Sequence, residues 1–171
     1  MIIVRLKSAG VVLAGIVMLA LAACGPAKLD MEKVKSSIQS GVSSQMGLKV
    51  DSVTCPTEVE AKSGSNFSCT VKTSDLTEDL PVEVTQNDDK GNVQWKSKYE
   101  VAPSEKVEDE VSTSLASENN ISADITCPTK VLKKKGYKFE CKAEDASGDT
   151  ATVKVEVTSD DGDVEWKLSQ S

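Results

Sequence analysis

Apolar residues follow two periods along this chain. Val34, Ile38 and Val42 recur every fourth position, and so do Val107, Val111 and Leu115. That spacing places each trio on one face of a helix, with serine and charge on the other. Ser104, followed by the acidic run Glu105 to Glu110, fits an N-cap and acidic first turns. Elsewhere the period is two. Val153, Val155 and Val157 alternate with Thr152, Lys154 and Glu156, so one strand face is buried and one is wet. The same reading predicts strands at 48–54, 59–62, 66–72, 80–85 and 93–99, and again at 121–126, 131–135, 138–144, 150–158 and 164–168. Gly64 and Gly136 are expected to turn hairpins between 59–62 and 66–72 and between 131–135 and 138–144. Asp161-Gly162 is a third hairpin signal.

The pattern repeats. Val53-Thr54-Cys55-Pro56-Thr57 answers to Ile125-Thr126-Cys127-Pro128-Thr129. The run from Gly64 to Cys69 answers to that from Gly136 to Cys141. Val82-Glu83-Val84-Thr85 aligns with Val155-Glu156-Val157-Thr158, and Gly91 to Lys96 with Gly162 to Lys167. On this alignment the last hairpin turn is two residues shorter in the second copy. Two copies make a domain duplication, not a solenoid. The fold expected is α+β: two tandem repeats, each one N-terminal helix packed on a small antiparallel β-sheet with one disulfide. The copies span 30–98 and 104–171, joined by a linker at 99–103.

The first 23 residues stand apart. Arg5 and Lys7 precede an unbroken apolar or small stretch that ends at Ala23. A positive start, a short apolar run and small residues at its end make a secretory signal peptide. The run is shorter than the roughly 20 residues a spanning helix needs. Leu21-Ala22-Ala23-Cys24 resembles the lipobox of bacterial lipoprotein precursors. The resemblance implies cleavage before Cys24 and a diacylglyceryl group, of the palmitate class, on its sulfur. Residues 24–29 would then be a lipidated tether, and the protein would sit at the extracytoplasmic face of a cell membrane. Two acyl chains hold a protein at a bilayer where one holds only marginally.

Composition narrows the chemistry. Losing the leader removes two basic residues and no acidic ones, which moves the net charge from −7 to −9. Such a balance argues against nucleic acid and against anionic lipid as main partners. The chain has no histidine. That removes the commonest general base and metal ligand and the usual serine–histidine and cysteine–histidine catalysis. Cys24 aside, Cys55, Cys69, Cys127 and Cys141 remain. An even number in an exported chain reads as disulfides. The equal spacing within the two copies pairs Cys55 with Cys69 and Cys127 with Cys141. A core of about seventy residues rarely supplies more than ~3–5 kcal/mol. A disulfide across a loop of this length adds roughly 3 kcal/mol, so a staple is reason enough for it.

Each copy resembles the domain-of-unknown-function 4333 family of bacterial envelope proteins. The residues that carry the likeness are Cys55-Pro56, Gly64, Phe67, Cys69, Val93 and Trp95, then Cys127-Pro128, Gly136, Phe139, Cys141, Val164 and Trp166. The resemblance implies a short amphipathic helix, alternating strands and membrane tethering, which agrees with Cys24. It implies no activity.

Three features are candidates for contact. The acidic turns 87–92 and 159–163 offer oxygen to calcium, but neither matches an EF-hand and both make good hairpin turns. The lysines Lys130, Lys133, Lys134, Lys135, Lys138 and Lys142 form a basic patch suited to phospholipid or anionic polymer, or else a charged edge that discourages aggregation. Tyr137, whose counterpart is Ser65, and Tyr99 fall outside the repeat and are expected as exposed contact residues. Trp95 and Trp166 match and belong to packing. The expectation is a non-enzymatic envelope lipoprotein without cofactor or metal, meeting the membrane through Cys24 and an envelope protein, glycan or lipid through its domains. The alternative is an inhibitor of an exported enzyme, since the tandem layout resembles that of the β-lactamase inhibitory protein. It would need a concave sheet bearing exposed aromatics.

Overall fold

A computed structural model describes residues 27–169. In order these form α1 (Met31–Met46), β1 (Val50–Thr54), β2 (Asn66–Thr73), β3 (Leu80–Gln86), β4 (Val93–Ser97) and β5 (Glu100–Pro103). Then come α2 (Glu105–Asn119), β6 (Ala123–Thr126), β7 (Lys130–Lys133), β8 (Lys138–Asp145), β9 (Thr150–Val157) and β10 (Val164–Ser169). The fold is α+β, and every strand pair is antiparallel. One sheet runs β1-β2-β3-β4, a second β10-β9-β8-β6, and a third holds only β5 and β7.

The four-residue period becomes buried surface. Val34, Ile38 and Val42 of α1 are buried, as are Val107, Val111 and Leu115 of α2. They share a core with Val71, Leu80, Val82 and Val84 of the first sheet and Phe139, Val153, Val155 and Val157 of the second. Asp30 caps α1 by accepting the Lys33 N–H at 3.2 Å, and Gly47 ends it in the left-handed region at φ 66°. The cap expected at Ser104 is absent. Ser104 takes a helical backbone and its side chain makes no capping bond. Glu108 instead reaches from the first turn of α2 to accept the Cys127 N–H at 2.8 Å. That bond ties the start of the helix to the disulfide.

Cys55 bonds Cys69, and Cys127 bonds Cys141. Each bridge joins the residue just past β1 or β6 to the middle of the neighbouring strand. The indoles match too. Trp95 lies half-buried against α1, where a Cβ on Gly41 would come within 2.2 Å of it. A helix-interior glycine costs about 1 kcal/mol, and here it makes room for the ring.

Three expectations give way. The hairpins around Gly64 and Gly136 do not pair as ladders. A strand has two hydrogen-bonding edges, and β8 spends both, on β6 and β9; β2 does the same with β1 and β3. The segment before Gly136 therefore pairs elsewhere. Residues 100–103, inside the stretch read as a linker, form β5 and pair with β7. In the first copy the equivalent contact is a bridge between Lys28 and Glu60. Third, the repeat alignment slips by two in the last hairpin. Val82 pairs with Cys69 and Val153 with Cys141, so Val82 is equivalent to Val153, not to Val155. The last turn has the same length in both copies: Gln86 pairs with Val93, and Val157 with Val164. Period-two alternation hides such a slip, because a two-residue shift keeps every side chain on its face. The length difference lies earlier. Val71 pairs with Leu80 but Ala143 with Ala151, so the connection after β2 is the longer one.

Candidate functional site

The longer connection, residues 74–79, is where the first copy meets the second. Its Thr77 N–H donates to the Tyr137 hydroxyl at 3.1 Å, and the Thr77 hydroxyl donates to the Lys138 carbonyl at 2.7 Å. Glu78 pairs with Lys134. The Lys134 ammonium also lies 5.7 Å from the centroid of the Tyr99 ring, within cation–π range. The hydrogen bond that Lys134 donates to the Glu78 carboxylate holds the Lys134 pKa above its ordinary value, against the opposing effect of burial. Tyr137 is fully buried, and its ring centroid sits 5.9 Å from that of Phe139. The expectation that Tyr137 is an exposed contact is thus corrected: its contact is with the other copy of the same chain. Tyr99 is half-buried, with the Lys134 ammonium over its ring.

The basic patch is largely neutralised. Lys133 pairs with Glu100 at 2.8 Å and Lys138 with Glu156 at 3.0 Å. Lys142 pairs with Glu144, and Lys134 is engaged with Glu78. The Lys135 side chain has no ion-pair partner among the described residues. Each lysine along β8 faces outward, so the patch does not gather into one anion site.

The acidic turns hold the fold. Asp88 accepts the N–H groups of Lys90 and Asn92 at 2.8 and 3.1 Å, and also bonds the Asn92 amide. These bonds, the Asn92 amide first among them, draw its pKa below the ordinary carboxylate value. Asp89 accepts the Ser63 N–H at 2.6 Å, and Asp160 accepts the Lys135 N–H at 2.9 Å. These are one bond made twice: the last turn clasps the residue before Gly64 or Gly136. A pair of aligned acids in aligned turns was the signal available for it. Asp145 turns the shorter connection 146–149 by accepting from Ser147 and Asp149, which lowers its pKa as well.

The outward faces of the two sheets differ. Across β8, β9 and β10 one row reads Lys138, Glu156, Glu165 and the next Glu140, Lys154, Lys167. Across β2, β3 and β4 the equivalent rows read Asn66, Thr85, Gln94 and Ser68, Glu83, Lys96. Over the charged face lies a hollow of about 640 Å³, lined by the charged residues of both rows and bordered by Thr77 and Pro128.

Cys24 and the residues expected to form a leader lie outside the described residues. The described residues start close to them. The Ala27 carbonyl accepts the Ala61 N–H at 2.7 Å, and the Leu29 N–H donates to the Val59 carbonyl at 2.8 Å. Residues 27–29, read as tether, are therefore part of the fold. No helix among the described residues is long and apolar enough to cross a membrane.

The chain matches the domain-of-unknown-function family DUF4333 twice, over residues 11–91 and 94–162, and it belongs to that family. Both matches end on the equivalent turn glycine, Gly91 or Gly162, so the Val-x-Trp strand follows each. The first match takes in Cys24. No curated protein matches the chain. No solved structure matches it either.

Proposed function

We propose that the protein is a non-enzymatic envelope lipoprotein, exported, cleaved before Cys24 and held by lipid on that cysteine, whose paired domains serve as an interaction module. In this reading each copy is one duplicated unit, a helix on a four-stranded sheet. The observation that carries it is the position of Ala27 in the fold. Only Gly25 and Pro26 lie between Cys24 and a residue hydrogen-bonded to Ala61. A lipid on Cys24 would hold the first domain against the bilayer by two residues. The junction then matters for reach. Lys98 and Tyr99 alone separate β4 from β5, and Thr77, Glu78, Lys134 and Tyr137 bond across the copies. Anchoring the first domain thereby positions the second.

The inhibitor alternative is not adopted. Every aromatic ring of the chain is buried or half-buried, and the outward sheet faces carry charge and hydroxyls instead.

Metabolic labelling with an alkyne fatty acid tests the anchor. Labelling is expected in the wild type and lost in Cys24→Ala, and the intact mass should begin at residue 24. A wild-type protein that keeps its leader, or label that survives Cys24→Ala, would overturn the anchor.

A further inference from the structure

The charged face of the second sheet is complementary to itself. Along each of its three strands the sign reverses over two residues: Lys138 and Glu140 on β8, Glu156 and Lys154 on β9, Glu165 and Lys167 on β10. Rotate a second copy by half a turn about an axis that crosses the strands midway between the two rows. Lys138 then faces Glu140 of the second copy, Glu156 faces Lys154, and Glu165 faces Lys167. All six charges meet an opposite one. The other in-plane axis, along the strands, sets Glu156 against Glu156 and Lys154 against Lys154, so charge selects one arrangement.

Within one copy the same face is poorly arranged. Glu156 lies directly across from Glu165, and Lys154 directly across from Lys167. Like charges in cross-strand register oppose pairing. Only Lys138 and Glu156 of the six form an ion pair. A second copy would set the basic pair over the acidic pair. The fold does not require these charges, since five of the six equivalent positions in the first sheet differ: Asn66, Ser68, Thr85, Gln94 and Glu83 stand where Lys138, Glu140, Glu156, Glu165 and Lys154 are found. The hollow over this face is lined by the lysines and glutamates themselves, with Thr77 and Pro128 beside them, so a second copy covers their aliphatic stems.

We infer that the protein self-associates through the outward face of β8, β9 and β10 as a two-fold dimer. This deepens the interaction reading above by naming a second copy as the partner, and it is independent of the anchor. An isologous contact of this kind closes on itself and does not grow into a filament. Exposed ion pairs are individually weak and screened by salt. The dimer is therefore weak, sensitive to ionic strength, and favoured where copies share one membrane.

The test uses the full chain purified in detergent, by sedimentation up to about 1 mM, where weak association is populated. The wild type should dimerise at low salt and dissociate at high salt. Lys154→Glu with Lys167→Glu makes the β9–β10 patch all acidic; Glu156→Lys with Glu165→Lys makes it all basic. Each variant alone should raise the dissociation constant at least about tenfold, and mixing the two should restore a dimer. Carbodiimide coupling of a mixture of isotopically light and heavy wild-type chains needs no substitution. It should join Lys154 of one chain to Glu156 of another. A wild type that stays monomeric, a dimer indifferent to both charge reversals, or no light-to-heavy Lys154–Glu156 link would overturn the proposal. Recovery of a different envelope protein with a monomeric wild type would end the dimer and leave the interaction reading standing.

Discussion

The two copies share strand register and disulfide, and they differ where they meet other surfaces. The first copy has a longer connection after β2, a serine after its turn glycine and a nearly neutral outward sheet. The second has a shorter connection, a tyrosine after its glycine and the charged face. The longer connection supplies Thr77 and Glu78; the tyrosine supplies the buried hydroxyl that Thr77 meets. One longer loop and one additional ring thus distinguish the two units and join them. Features that agree between copies hold each unit together. The differing loop and tyrosine hold the units to each other, and the differing sheet charges face outward.

The sharpest test of that division is Tyr137→Ala. It deletes a fully buried ring and removes the acceptor of the Thr77 N–H. Urea unfolding should show a loss of about 3–5 kcal/mol. Ser65→Ala at the equivalent position should change stability by less than about 0.5 kcal/mol. Tyr137→Phe isolates the hydroxyl and should cost about 1 kcal/mol. Equal effects at residues 65 and 137 would mean that the junction is not where the copies diverge.

A smaller effect separates the helices. Gly41→Ala should improve helix propensity by about 1 kcal/mol. The added Cβ meets Trp95, however, and overpacking typically costs ~1–3 kcal/mol. Net destabilisation with a red shift of Trp95 emission is expected. The equivalent residue of α2 is Ser114, and Ser114→Ala should be neutral or slightly stabilising. A stabilised Gly41→Ala would show that the indole moves aside freely.

Much of this architecture was legible because it is periodic or countable. Val34, Ile38 and Val42 declare their helix face by spacing, and four cysteines in two equal gaps declare their pairs. The misread parts lack a local signal. Strand β5 is four residues long, ends in a proline and is defined only by its partner β7. The slip of Val82 against Val153 is invisible to alternation. Tyr137 stood out from the repeat, but Thr77 sits in a loop with no pattern, so the sequence marked one end of the contact and not the other. The clasp from Asp89 and Asp160 joins residues more than twenty apart, so the aligned acids mark the turns but not the Ser63 and Lys135 N–H groups they meet.

The smallest expected effect compares the last turns. In the first copy Asp88 gathers the N–H groups of Lys90 and Asn92. Its equivalent in the second is Ser159, whose hydroxyl donates to Asp163 at 2.8 Å and accepts the Asp163 N–H. A carboxylate whose folded pKa is lowered stabilises the fold above its unfolded pKa, and that contribution is lost as pH falls through the folded value. Asp88 is such a group, so its turn should stay closed below the ordinary value of 3.8 and open only at lower pH. Carboxyl-detected NMR should place the Asp88 midpoint under 3.8, with amide exchange at Lys90 and Asn92 rising through the same midpoint. Neutral Ser159 has no proton to gain in that range, so its own bond to the Asp163 N–H should persist through the Asp88 transition. An Asp88 midpoint at or above 3.8 would mean that its bonds to Asn92 do not persist in solution, and the two turns would then be alike in all but sequence.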